Sequence, residues 1–196
     1  MNTLLNKIAT QFRDNKPFVS YRKPNKEVVS AFFMNDDDLY YTSEFTEIGF
    51  VFSPFNNEEK SVLFPLEKSD FRSEKITFND DFILNDNFTN SNKIDKEKHI
   101  HLVENALDEI NNNELIKVVI SRKEAILLEN FNLLLTFQKL LKTYKNAFVY
   151  VWFHPKVGLW LGATPETLLS ISNNSFKTMS LAGTQVYKNS NEVVWK

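Results

Sequence analysis

Residues 131–162 read FNLLLTFQKLLKTYKNAFVYVWFHPKVGLWLG. Leu134, Phe137, Leu140 and Leu141 recur at helical spacing, so residues 131–144 are expected to form an amphipathic helix. Residues 147–153 (AFVYVWF) and 158–162 (GLWLG) are rich in aromatic and β-branched side chains and predict two strands. Outward from this helix-strand-strand stretch, residues 176–181 predict another strand. Residues 115–128 (LIKVVISRKEAILL) predict a long one. Before it, residues 101–110 (HLVENALDEI) place Leu102, Ala106, Leu107 and Ile110 on one helical face.

The first half is richer in strands. Leu4, Leu5, Ile8 and Phe12 predict a short helix over residues 3–13. Residues 18–21, 28–34, 48–52 and 62–66 predict consecutive strands separated by Pro, Asn and Asp turns. Residues 69–97 are polar and predict a long irregular connection. Strands outnumber helices, which gives an α+β class with mixed or antiparallel sheets flanked by helices. No repeat and no linker separates a second domain. Residues 1–96 and 97–196 are expected to be two parts of one domain. The terminal NEVVWK shows no stop signal, so the chain is expected to be the N-terminal part of a longer one.

Composition narrows the function classes. With 196 residues, 23 basic and 25 acidic, the formal charge is −2, which gives no electrostatic case for nucleic acid. Hydrophobic content of 42% with 18 Phe indicates a sizeable core, not a disordered chain. The absence of cysteine excludes disulfides, zinc-thiolate sites and cysteine nucleophiles. No run of about 18 apolar residues and no signal-like start occurs, so a cytoplasmic protein without a membrane span is expected. Four glycines are arranged in neither phosphate-loop motif.

Three sites could carry chemistry. Lys117 sits among apolar residues on both faces of its predicted strand, where a lysine is costly unless paired or neutral. It could instead snorkel to water at a strand end. Ala163-Thr164-Pro165-Glu166 turns the backbone after a strand and presents Glu166, an acid candidate. The same residues could cap a helix, with Thr164 as N-cap and Pro165 first inside. Leu181-Ala182-Gly183-Thr184 ends a strand in exposed N–H groups and a hydroxyl, suited to a carboxylate, or is an ordinary turn. His99 and His101 lack metal-ligand spacing and are expected to be solvated at a helix start. His154 is expected to be structural.

In order, residues 115–122 (LIKVVISR), 159–166 (LWLGATPE) and 178–184 (TMSLAGT) resemble three successive motifs of the chorismate-binding enzymes. That family includes isochorismate, salicylate, anthranilate and aminodeoxychorismate synthases. The resemblance covers about residues 97–185. It implies an isochorismate synthase type, because Lys117 stands where members that use ammonia have glutamine, and Ala163-Thr164 stands where those members usually have serine before Pro-Glu. The implied reaction converts chorismate to isochorismate. Lys117 takes a proton from water, which attacks C2. Glu166 protonates the hydroxyl leaving C4. One neutral amine and one protonated carboxyl must then share a pocket.

The resemblance also implies that Ala163, Gly183 and Thr184 line the substrate site and that Arg122 serves structure. It implies a Mg2+ cofactor whose glutamates lie beyond Lys196, so no metal ligand is expected within these residues and the chain alone is expected not to turn over chorismate. Salicylate synthase, which uses the same pair, and a non-catalytic domain of the same fold stay open as alternatives. The downstream pathway, menaquinone or a siderophore, is not specified by these residues.

Overall fold

The computed structural model describes residues 3–56, 58–77, 93–112, 115–126, 128 and 130–180. In chain order its elements are α1 (Thr3–Arg13), β1 (Phe18–Arg22), β2 (Val28–Met34), β3 (Tyr40–Thr42), β4 (Gly49–Phe52) and β5 (Ser61–Pro65). A 3-10 turn, Leu66–Lys68, leads into β6 (Ser69–Lys75), followed by α2 (Lys93–Asn111) and α3 (Leu133–Thr143). The remainder is β7 (Phe148–His154), β8 (Gly158–Thr164), β9 (Ser170–Ser172) and β10 (Ser175–Lys177). Two compact units result, Met1–Phe78 with Asn132–Lys196, and Asn79–Phe131.

The first unit is layered. Its central sheet has the order β6-β2-β1-β7-β8, and every pairing is antiparallel. Side chains of a strand alternate between faces, and the two faces here have different partners. Phe18, Val29, Ala31, Phe33, Val149, Val151 and Phe153 meet Leu4, Leu5 and Ile8 of α1 and Leu133, Phe137 and Leu141 of α3. Val19, Phe32, Met34 and Trp152 point the other way, onto Phe64 and the partly buried Phe50, Phe52 and Val62. Those residues belong to a second antiparallel sheet of order β3-β5-β4. The α+β expectation holds, with antiparallel pairing throughout the described strands.

Two polar devices fasten the helices. Asn132 caps α3 by accepting the Leu135 N–H at 2.9 Å. At the other end of α3, the buried Arg22 of β1 donates to the carbonyls of Leu141 and Tyr144. A cation there complements the negative end of the helix dipole and satisfies carbonyls that have no helical partner. Burial pulls the Arg22 pKa down from its ordinary value. Arg22→Met keeps most of the packing and removes these bonds, and is expected to lower unfolding free energy by about 2–3 kcal/mol, measured by urea denaturation.

At α1, Glu74 of β6 accepts the Leu4 N–H and the Thr3 hydroxyl, each at 2.8 Å. The Leu4 N–H, then the Thr3 hydroxyl, holds the Glu74 carboxyl below its ordinary pKa. A carboxylate depressed on folding stabilises above its unfolded pKa, and the contribution is lost as pH falls through the folded value. Wild-type stability should therefore fall more steeply than that of Glu74→Gln as pH drops below the ordinary glutamate range, as followed by denaturation at a series of pH values.

Several expectations need correction. Residues 115–126 and 128 contain no strand. Apolar residues on both faces require pairing at the edges and cover above and below, and no described strand pairs with this segment. The polar stretch after residue 68 is not wholly irregular, because residues 69–75 form β6 on β2. Its charges, Asp70, Arg72, Glu74 and Lys75, obscured a strand that lies at a sheet edge, where charge is common. The helix before Lys117 is longer than its apolar stripe and begins at Lys93. His99 and His101 thus lie within a helix, not at its start. Of the strand expected at 176–181, residues 176 and 177 belong to β10 (Ser175–Lys177), residues 178–180 form no strand, and residue 181 lies outside the described residues. The short strands β3 and β9 carried no periodicity long enough to read.

Candidate functional site

Glu166 is positioned by β7 and β8. The β8 register on β7 runs from Gly158 opposite His154 to Thr164 opposite Phe148. Leu159, Leu161 and Ala163 pack toward the helix-side core. Trp160 lies on the opposite face with its ring 5.7 Å from Phe52 and half its surface exposed, at 50%. Gly162 on that face leaves room for the Tyr150 ring, since a methyl group there would lie 2.6 Å from its Cε1 and the ring would have to shift. β8 stops at Thr164, and Pro165, which has no N–H to donate, cannot prolong the ladder. Glu166 follows just past the strand end and is exposed. No helix begins here, since β9 is the next element, so the helix-cap alternative for Thr164-Pro165 is set aside.

The structure joins the second and third motifs. The β9–β10 hairpin, turning at Asn173 (φ 52°), carries the chain back beside Glu166. The Thr178 hydroxyl donates to the Leu168 carbonyl at 2.7 Å, and the Met179 N–H donates to the Thr167 carbonyl at 3.0 Å. The opening of TMSLAGT is thereby fixed next to the residues that follow Glu166. Gly183 and Thr184 lie outside the described residues. Ala163 contributes its methyl group to the core.

Lys117 belongs to the other unit, and it is exposed. The apolar enclosure expected around it is not built by the described residues, with Ile116 99% and Val119 83% exposed. Arg122 donates to Glu124 at 2.9 Å on the same exposed segment. The bonding that the structure does reveal for buried polar groups, at Arg22 and His154, had little sequence signal. Arg22 ends a strand in the manner of any solvated arginine.

Among the described residues no three His, Cys, Asp or Glu side chains converge as a metal site. The described residues provide no ligand set for the Mg2+ that the resemblance implies, and no step is assigned to it. A cleft of about 520 Å³ lies on the three-stranded sheet, lined by Tyr40, Tyr41, Ile48, Leu63, Glu47 and Glu67 among others. None of the motif residues lines it. No described helix is long and apolar enough to cross a membrane.

Against known proteins, the family model described as chorismate binding enzyme matches residues 25–193. The chain belongs to the chorismate-binding enzyme family. No curated protein and no solved structure matches it. The match reaches well before the three motifs and takes in β2 to β6, where individual residues carried no recognisable signature.

Proposed function

We propose that the protein is an isochorismate synthase, with a cytoplasmic location and a Mg2+ requirement. The observation that carries the reading is one family match that runs through all three motifs, together with the residue identities at two of them. Lys117 and the Ala-Thr form of the Pro-Glu motif both favour water over ammonia as nucleophile.

In this reading the chain contributes a base and an acid. Lys117, uncharged, accepts a proton from water as the oxygen bonds to C2 of chorismate. The double bonds shift, and the C4 hydroxyl leaves with a proton from Glu166. Water enters and water departs, so the product is an isomer of the substrate. The placement of Glu166 supports its part, because a side chain at the end of a sheet strand after a proline can face a substrate without disturbing the ladder. Lys117 is exposed among the described residues, and the role of base requires cover that keeps an amine uncharged. The segment around it is apolar enough to accept such cover.

The test is to incubate the full-length protein with chorismate, with and without Mg2+, and to separate the products. Isochorismate formed only with the metal is the expected result. Salicylate with pyruvate would replace the reading by a salicylate synthase. Unconsumed chorismate would favour a non-catalytic domain.

A further inference from the structure

The turn between β7 and β8 is tied to the connection between β2 and β3 through one buried histidine. His154 closes β7 and is 1% exposed. Its ring lies 6.3 Å from Trp152, stacked, and 6.4 Å edge-on from Phe64 of β5. The backbone N–H of Lys156, which can only donate, reaches Nδ1 at 3.1 Å. Nδ1 must therefore be the acceptor, and the ring proton sits on Nε2, directed at the Asp38 carbonyl at 3.4 Å. The Lys156 ammonium strengthens the same tie by donating to the Asp37 carbonyl at 2.6 Å, with the Asp37 carboxylate at 3.5 Å.

A second proton cannot be accommodated in that seat. It would have to occupy Nδ1, where it would confront the Lys156 N–H, and the charge would lie in a buried position against two aromatic rings. Desolvation lowers the His154 pKa more than its surroundings raise it. The charged groups that act on the ring are Asp36 and Asp37 from the β2–β3 connection and Lys156 from the turn itself, with Tyr40 of β3 donating its hydroxyl to Asp36 at 3.2 Å. Phe64 and Trp152 bring no charge. The Asp36 and Asp37 carboxylates favour an imidazolium, whereas burial disfavours it.

We propose that His154 is a protonation-operated latch, seated against Phe64 and Trp152 when neutral and displaced toward the Asp36 and Asp37 carboxylates when charged. Displacement frees the Lys156 N–H and loosens the β7–β8 turn while the central sheet stays paired. The latch is independent of the reaction proposed above and holds whether or not chorismate is consumed.

The experiment is a pH titration of the full-length chain by NMR, reading imidazole nitrogen shifts together with amide exchange. At neutral pH, His154 should show the Nε2–H form. On acidification it should protonate below the ordinary histidine range, and the protection factor of the Lys156 amide should fall by on the order of tenfold, with the same midpoint. The Val19 amide in central β1 should keep its protection. His154→Phe should leave the turn insensitive to pH, and if that variant does not fold, the wild-type titration decides alone. An Nδ1–H tautomer overturns the proposal, as does Lys156 protection that stays constant while His154 titrates. Simultaneous loss of protection at Lys156 and Val19 overturns it too, since that is unfolding of the whole unit.

Discussion

Replacing Lys117 by alanine in the full-length protein should lower chorismate turnover by about 10²–10⁴-fold, the range for removing a positioned acid or base. The melting temperature should barely move. Among the described residues Lys117 is exposed in a segment without regular structure, and its truncation removes no buried contact there, which puts it in the class of surface changes worth about ±0.5 kcal/mol. That separation makes the variant informative, because lost activity cannot then be ascribed to lost fold. Glu166→Gln keeps shape and removes the transferable proton, and a comparable loss is expected. Steady-state rates with chorismate and a thermal melt on the same samples check both. Full activity in Lys117→Ala would eliminate the assigned base.

The largest stability effect is expected at Trp152. Its side chain is fully buried between the two sheets of the first unit. It stacks on Phe52 at 4.7 Å and meets Phe64 edge-on at 5.6 Å. Trp152→Ala removes the largest side chain of that interface and leaves a cavity, at an expected cost of about 3–5 kcal/mol. Trp152→Phe should cost clearly less. The buried indole Nε1 has no hydrogen-bond partner among the described residues, so removing it also removes an uncompensated desolvation penalty of about 1–3 kcal/mol. Urea denaturation of the two variants beside wild type measures the difference. A loss in Trp152→Phe as large as that in Trp152→Ala would contradict this account.

The parts of this fold that could be read from residues were those whose side chains report their surroundings. β2 and β7 alternate between two apolar faces, and α1 and α3 each carry one apolar stripe, so periodicity located them within a residue or two. β6 was missed because an edge strand can carry Asp70, Arg72 and Glu74 at no cost to pairing. The failure at residues 115–128 has a different origin. LIKVVIS has the composition of a doubly covered strand, but composition states what a segment needs and not whether partners are present. The candidate site divides in the same way. Glu166 follows from a strand and a proline, both local. The junction of the second motif with Met179 depends on a short, polar, exposed hairpin that no periodicity reveals. The Lys117 environment depends on long-range cover, which a single segment does not encode.

The most direct measurement is turnover of chorismate by the full-length protein in water enriched in heavy oxygen, followed by mass spectrometry of the product. Attack of water at C2 predicts isochorismate that carries the heavy isotope on its new hydroxyl. Isochorismate without the label would mean that the hydroxyl migrated within the molecule, and a base acting on water, the role given to Lys117, would be contradicted.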